Sequence, residues 1–177
     1  VCERRCRIRL SLASAKGWFD MKTAAAAKEF LSHRRFAVTG VSRHPHGHGS
    51  NAVYQRLRER GYEVFAVNLS GEPVEGDPSY PNLAAIPGVV DVVVIATRPD
   101  QALGTVKEAE ELGITRIWMH RSVDAGSVSE DAVAFGRSHG MVVIDGGCPL
   151  MYGPTSDFGH KTMCAMLKLT GRVPRTV

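Results

Sequence analysis

The sequence lacks any apolar run of about 18 residues, so it predicts no membrane span. Cysteine is also scarce: at 177 residues, Cys2, Cys6, Cys148 and Cys164 are too few to indicate the disulfide framework of a small secreted domain. These absences favour a reduced, cytoplasmic protein. The composition is ordinary, 44% hydrophobic and 23% charged, and the length suits one domain with a buried core.

A basic face for nucleic acid is missing too. The formal net charge is +4, but residues 1–20 hold five basic and two acidic side chains, and the remainder is nearly balanced. No nucleic-acid partner is therefore expected. We expect residues 1–20 to be a basic, disordered extension and residues 21–177 to form a single domain that starts at Met21; on composition, a transit peptide is the alternative for the extension.

Neither standard phosphate-loop signature is present. The glycines after the first apolar run fall at 40, 47 and 49, so G-x-G-x-x-G fails on spacing, and no Gly-Lys-Ser/Thr follows as in a Walker A loop. Nevertheless, a short strand ending at Gly40, a Gly/Pro/His loop and a helical pattern opening at Asn51 stand in sequence. Free amides and the positive end of the helix dipole meet there. The stretch therefore predicts a site for the phosphates of a nucleotide-type ligand.

Strand and helix patterns alternate along the chain. Strands are predicted over 36–41, 63–68, 89–97, 115–119 and 141–145, and helices over 22–31, 51–60, 99–112, the segment after Ser127 or Ser129, and 161–169. This alternation predicts an α/β fold with a doubly wound, mostly parallel Rossmann-like sheet of about five strands and helices on both faces. The first helix is expected across the sheet edge or over the pocket floor. Ligands in such sheets lie beyond the carboxyl ends of the strands.

The residue after the second strand narrows the class of nucleotide that the site can bind. An NAD site uses an acidic residue there for the ribose hydroxyls, and this chain has Asn68. A neutral side chain does not repel a phosphate on the ribose, so the site suits NADP or coenzyme A. Arg43 and Arg98 follow the first and third strands and are candidate phosphate partners.

Several ordered motifs carry a family resemblance. Gly40-Val41-Ser42-Arg43, residues 62–68 (YEVFAVN), 80–87 (YPNLAAIP), 90–95 (VDVVVI) and 117–119 (IWM) resemble the small stand-alone CoA-binding proteins. These in turn are similar to the nucleotide-binding domain of the succinyl-CoA synthetase alpha subunit. The resemblance covers roughly residues 30–150 and implies a Rossmann-like fold that holds CoA or an acyl-CoA, with no established reaction.

The resemblance also implies where the ligand lies. Residues 40–43 would wrap the phosphates, Asn68 would border the adenosine side, and residues 96–99 would line the opposite wall. The predicted cofactor-binding residues are Gly40, Val41, Ser42, Arg43, His48, Gly49, Asn51, Val67, Asn68, Ala96, Thr97, Arg98 and Pro99. The family usually carries Lys where this chain has His48, and the segment from Asp145 to Lys161 departs from the common pattern.

Two other sequence patterns could bind metal. His44, His46 and His48 alternate, so an extended loop would place them on one side; the alternative is a polar phosphate loop. Cys2 and Cys6 have no second pair at ligand spacing. No metal is predicted at either place.

Cys148 and His120 are the candidate reactive side chains. Cys148, with His160 downstream, is open to three interpretations: a nucleophile, a redox partner for the thiol of CoA, or a small packed residue. His120 follows a strand and is interpreted as pocket lining or a satisfied polar residue. The chemistry of the synthetases uses a phosphorylated histidine from a second domain, which the resemblance does not cover.

The function predicted is that of a non-enzymatic CoA-binding carrier, sensor or regulatory module with no catalytic residue assigned. The enzymatic alternatives are an NADP-linked reductase or the nucleotide-binding subunit of an acyl-CoA ligase. A partner-binding module with a vestigial ligand site is a third hypothesis. The expected partner is a small nucleotide ligand, without a membrane; a homo-oligomer or a protein partner is left open.

Overall fold

Short apolar segments alternate with amphipathic ones, and the chain folds them into strands and helices in that order. A computed structural model describes residues 21–44, 49–121, 126–153, 158–170 and 173–177. The predictions made for residues 1–20, including Cys2 and Cys6, and for His46 and His48 lie outside these ranges.

The strands are β1 (Arg35–Thr39), β2 (Glu63–Val67), β3 (Ser79–Tyr80), β4 (Val92–Ile95), β5 (Arg116–Met119) and β6 (Val142–Asp145). The helices are α1 (Thr23–Phe30), α2 (Gly49–Glu59), α3 (Pro99–Glu111), α4 (Glu130–Ser138), α5 (Phe158–Leu169) and a 3-10 turn at Pro149–Met151. No helix in the described ranges is long and apolar enough to cross a membrane.

All six strands form one parallel sheet in the order β3-β2-β1-β4-β5-β6. This is the strand order of the dinucleotide-binding sheet. From β1 the chain adds β2 and β3 on one side and then crosses back to add β4, β5 and β6 on the other, so the strand order reverses between β1 and β4. The predicted doubly wound α/β fold is confirmed. The strand number was short by one, because β3 has only two residues in a segment rich in turn formers and gains its extended form by pairing with β2.

Side chains of the central strands alternate between two cores. On one face, Phe36, Val38 and Trp118 pack with α1 and α2, and on the other, Ala37 and Ile117 pack with α3 and α4. Burial on both faces explains why these strands read as continuous apolar runs in the sequence.

Helix α1 covers the first of these faces, which corrects the expectation of a sheet edge or a pocket floor. Its Phe30 ring meets the fully buried Trp118 ring edge-on, with 6.1 Å between the centroids. The Trp118 indole donates to the Gly146 carbonyl at 3.1 Å. Ala26 and Ala27 of α1 have small side chains, which allow this close approach, and both are completely buried.

Helix ends and strand lengths differ slightly from the predictions. Helix α2 begins at Gly49 rather than Asn51, and the central strand β4 is limited to Val92–Ile95 because only these residues continue the paired ladder. Of the two candidate caps of α4, Ser129 accepts from the Ala132 amide, whereas Ser127 is buried before the helix.

Charged side chains close the amino-terminal end of the sheet. One Asp91 oxygen accepts from the backbone amides of Arg34 and Arg35, at 3.3 and 3.0 Å. Glu29 accepts from Arg116 Nε at 2.9 Å, and its same oxygen lies 2.9 Å from His33 Nε2. These contacts join α1, β1, β4 and β5 where the strands start.

The β6 edge is covered by an arginine of α4. Arg137 donates from one Nη to the Val143 carbonyl at 3.4 Å and to the Asp145 carboxylate at 3.0 Å. Val143 lies in the strand that ends the sheet, so this guanidinium occupies a carbonyl that faces away from β5.

Candidate functional site

A cavity of about 520 Å³ opens at the carboxyl ends of β1, β2 and β4, beside the point where the chain direction reverses. Five segments surround it: the turns after β1, β2 and β4, the stretch after β3, and one side of α3. Its lining residues are Thr39, Gly40, Val41, Ser42, Val67, Asn68, Leu69, Pro81, Asn82, Leu83, Thr97, Gln101, Gly104, Thr105 and Glu108. Parallel sheets of this type bind ligands at this position.

Gly40 closes the floor between β1 and β4. Its φ is +74°, a conformation that glycine adopts without strain. A Cβ placed there would lie 2.9 Å from the Ala96 carbonyl oxygen and 3.1 Å from Thr97 Cγ2. The backbones of the two turns therefore touch, and a ligand has to lie above them rather than between them.

The Asn68 side chain is held by hydrogen bonds between the turns after β1 and β2 and is not a free neutral group at the cavity edge. Its Nδ2 donates to the Val41 carbonyl at 2.7 Å, and its Oδ1 accepts from the Ser70 amide and hydroxyl, each at 2.9 Å. The amide thus clasps the turn after β1 to the turn after β2. Of the lining residues in the described part of the chain, Glu108 is the only ionisable one, so the part of the lining that follows β2 has no acidic residue.

Asn51 supports the site from behind. Its side chain is 1% exposed, accepts from the Ser42 amide at 2.9 Å and donates to the Ser42 carbonyl at 2.7 Å. Its Nδ2 also donates to Glu75 Oε1 at 2.8 Å. Asn51 therefore fixes the backbone of Ser42, which lines the cavity, without lining it itself.

The two arginines proposed for phosphate are each paired with a carboxylate. Arg43 Nη1 bonds to Glu72 Oε2, and Arg98 Nη2 lies 3.6 Å from Asp100 Oδ2. The side chains are exposed, 50% for Arg43 and 77% for Arg98. Arg43 directly follows the lining residue Ser42, whereas Arg98 points its charge at the first turn of α3.

The remaining predicted site residues are distributed around the cavity. Val67 lines it, while Ala96 contributes the carbonyl beneath Gly40, and Pro99 and Gly49 are the first residues of α3 and α2. Six of the thirteen predicted residues line the cavity: Gly40, Val41, Ser42, Val67, Asn68 and Thr97. The structure does not describe His48.

Helix α3 supplies a wall that the sequence prediction missed. Gln101, Gly104, Thr105 and Glu108 lie on one stripe of the helix, and Glu108 accepts from the Ala84 amide at 3.1 Å. Their spacing of three and four residues, beside the buried stripe of Ala102, Val106 and Ala109, was a readable signal for a second face. The prediction used only the apolar stripe of this helix.

The candidate reactive residues lie in packed positions. Cys148 is a free thiol, 4% exposed in the core that contains Trp118, and burial raises its pKa to about 11. A thiol with that pKa is protonated at neutral pH and is a poor nucleophile. His120 is also buried, and its Cε1 lies 3.4 Å from a Cβ placed on Gly49. Packing is therefore the interpretation of Cys148 that the structure favours.

No group of three metal-ligating side chains occurs in the described ranges of the chain. His44 is exposed, and its amide donates to the Ser42 hydroxyl at 3.1 Å. Asp91 accepts from the amino end of β1, and Asp145 accepts from Arg137.

Comparison with known proteins decides the family. The family described as CoA binding domain matches residues 34–154, more than half of the chain. The chain belongs to this CoA-binding domain family. The matched segment runs from just before β1 to just after the 3-10 turn and contains every residue that lines the cavity.

Two curated relatives extend the comparison. An uncharacterized protein, YneT, of Bacillus subtilis is 30% identical over 121 residues, which cover 68% of this chain and 86% of that protein. The alpha subunit of an ADP-forming acetate–CoA ligase, isoform II, of Pyrococcus furiosus is 29% identical over 126 residues. That match covers 67% of this chain and 27% of the ligase subunit, so the chain corresponds to about a quarter of it.

A solved structure shares the fold. A hypothetical protein from Pyrococcus horikoshii superposes with a TM-score of 0.63 at 22% sequence identity, covering 84% of this chain and 94% of its own. The fold is thus shared with this solved structure, while the two curated relatives differ in size: the chain spans 86% of one and 27% of the other.

Proposed function

We propose that the chain binds coenzyme A or an acyl-CoA, with the adenosine half in the cavity and the diphosphate above the turn after β1. The observation that carries this proposal is the cavity itself, in a chain of the CoA-binding domain family. It lies at the carboxyl ends of three parallel strands and has a volume within the usual range of ligand pockets, about 300–1,000 Å³.

The chemistry of the lining suits an adenine nucleotide. Val41, Val67, Leu69 and Leu83 offer apolar surface for a planar base, and Asn82, Gln101 and Thr105 offer polar groups at its edge. A slot with mainly apolar walls and a few polar groups is typical of cofactor sites.

Backbone groups support a position for the phosphate end. Helix α2 begins at Gly49, and the first amides and the positive dipole end of a helix attract phosphate. We propose that the diphosphate lies between these amides and residues 40–42. In this arrangement the thiol end of CoA continues towards solvent.

We further propose a carrier, sensor or regulatory role in the cytoplasm rather than catalysis. The two side chains that could have served as nucleophiles, Cys148 and His120, are buried and do not line the cavity. The proposed location rests on the small number of cysteines and on the free thiol of Cys148.

Titration calorimetry with CoA, acetyl-CoA, NADP, NAD and ATP tests the ligand. We expect CoA and acetyl-CoA to bind most tightly, and a preference for NAD without any response to CoA would contradict the proposal. Gly104→Leu gives the matching site variant, because a Cβ at this cavity-lining glycine meets nothing within 4 Å. The new Cβ meets no neighbour, and the rest of the leucine side chain occupies cavity space that the ligand would fill. CoA affinity should therefore fall by about tenfold or more, because the ligand loses contact surface.

Ala134→Leu is the matched control. It places the same side chain on the exposed surface of α4, outside the cavity, and should leave CoA affinity unchanged. Equal losses in the two variants would move the ligand away from the cavity.

A second candidate is the nucleotide-binding part of an acyl-CoA ligase, favoured by the 29% identity to the acetate–CoA ligase alpha subunit. Such a protein would need further domains or subunits for its chemistry. Purification of the protein from its native cells separates the candidates: co-purification of a subunit with which it forms acetyl-CoA from acetate, CoA and ATP supports the ligase, and a CoA-binding protein purified without such a subunit supports the carrier.

A further inference from the structure

Within the described residues, three side-chain contacts hold the segment after β2 to Val41, to Asn51 of α2 and to Arg43, and one of the three is an ion pair. Asn68 clasps the turn after β2 to Val41, and Asn51 holds Glu75. The third contact is between Arg43 and Glu72. This ion pair has a property that the amide contacts lack, because a charged ligand can compete for it.

The pair lies at the rim of the cavity. Arg43 follows the lining residue Ser42, and Glu72 follows the lining residue Leu69 by three positions. Both side chains remain about half exposed, at 50% and 56%. The turn after the second strand is where the ribose of a bound nucleotide lies in sheets of this order, and an arginine near it accommodates a phosphate on the ribose.

The Glu72 carboxylate is presented by a fixed backbone. The Glu72 amide donates to the Ser70 hydroxyl at 3.3 Å, and its carbonyl accepts from the Ser79 hydroxyl at 2.6 Å. The other acidic residues of this segment are engaged elsewhere: Glu75 with Asn51, and Asp77 with Tyr54 and Arg58. Of these carboxylates, Glu72 is therefore the one held against Arg43.

We infer that Glu72 occupies on Arg43 the position that a ribose phosphate of the ligand takes, so that this pair determines how strongly the site selects a phosphorylated ribose. The inference rests on the proposed CoA site. A phosphate monoester carries more negative charge than a carboxylate, so it displaces Glu72 and pairs with Arg43. A ligand without that phosphate leaves the ion pair intact.

Calorimetry with CoA and with dephospho-CoA, which lacks the ribose phosphate, tests the inference. Glu72→Gln removes the competing charge and keeps the shape. An exposed ion pair is weak, so CoA affinity should rise by about two- to fivefold, while dephospho-CoA affinity stays unchanged. Arg43→Gln should lower CoA affinity by about tenfold or more and leave dephospho-CoA unaffected. The double variant should match Arg43→Gln, because Glu72 acts only through Arg43.

Glu59→Gln is the matched control. Glu59 accepts from Arg56 at 2.8 Å in an exposed pair on the last turn of α2, outside the cavity, so this variant should bind both ligands as the parent chain does. Thermal unfolding of all variants should agree closely, since every substituted side chain is about half exposed or more.

The outcomes separate this inference from the proposed function. Equal effects of Glu72→Gln on both ligands, or no gain for CoA, would overturn the role of the pair while CoA binding itself stands. If the parent chain bound neither ligand, both the inference and the proposed CoA site would be wrong.

Discussion

The two ends of the sheet use charge in opposite ways. At the amino-terminal end, Asp91 and Glu29 bond to backbone amides and to Arg116 and thereby join the secondary structure elements. At the carboxyl end, apolar and uncharged polar residues make up most of the cavity lining, Glu108 is the one ionisable residue among the described lining, and the charged pair Arg43–Glu72 lies on the rim. Carboxylates that accept from backbone amides hold the fold, whereas exposed ion pairs are left exchangeable.

Gly40→Ala should give the largest effect on the carboxyl end. The new Cβ would require the left-handed conformation and would lie 2.9 Å from the Ala96 oxygen, so we expect a loss of about 2–4 kcal/mol in the free energy of unfolding. CoA affinity should fall as well, because the turns that meet at Gly40 line the cavity. Urea denaturation and calorimetry measure the two effects.

Gly104→Ala is the corresponding control, because its Cβ meets nothing within 4 Å and alanine favours the helix. A Gly40→Ala variant as stable as Gly104→Ala would show that the close approach to Ala96 is absent.

Asp91→Ala should affect the amino-terminal end alone. The variant removes the acceptor of two backbone amides, those of Arg34 and Arg35, and should lower the free energy of unfolding by about 1–3 kcal/mol. CoA affinity should be unchanged, since the substitution lies at the opposite end of the sheet from the cavity. Urea denaturation with parallel calorimetry checks both statements; a loss of affinity together with stability would mean that the two ends are coupled.

Tyr54 lies on α2 between the two ends and gives a smaller, pH-dependent effect. Burial, together with the hydrogen bond to Asp77, raises its pKa from 10.0 to about 12. Below pH 10 the phenol is protonated in both the folded and the unfolded chain. Between pH 10 and 12 the unfolded chain loses this proton first, so stability falls as the pH rises through that window.

Tyr54→Phe should remove this component of the alkaline loss, at a cost near neutral pH of about 1 kcal/mol for the lost hydrogen bond. Urea unfolding of both proteins from pH 8 to 11 compares the slopes. Parallel pH profiles for the parent chain and the variant would contradict the raised pKa.

How far the sequence predicts the molecule differs between the sheet and the site. Continuous apolar runs identified the central strands, since burial on both faces leaves a direct trace in the sequence. The run from Val89 to Thr97 was longer than the strand, because only Val92–Ile95 finds paired neighbours. Strand β3 left no such trace, as Ser79 and Tyr80 are extended only through pairing with Ala66 and Val67.

Part of the cavity lining could also be predicted from the sequence, and part could not. Residues that follow strands, such as Gly40 and Asn68, could be assigned to the site because parallel strands end together. The wall formed by Gln101, Thr105 and Glu108 depends on which way α3 is turned, and the pairing of Arg43 with Glu72 depends on the conformation of two turns 29 residues apart in sequence. The local pattern marks the stripe on α3, but neither the direction in which that stripe faces nor the ion pair is encoded in it.

The contact of Arg137, on α4, with the edge strand β6 affects how copies of the chain could pair with one another in solution. An outer strand with unused carbonyls is a template on which another chain can continue the sheet. Here the Val143 carbonyl is already occupied, and the opposite border, β3, offers only two residues. Each border is thus limited as a starting point for β-pairing with another chain, the β6 border because this carbonyl is used and the β3 border because it is short.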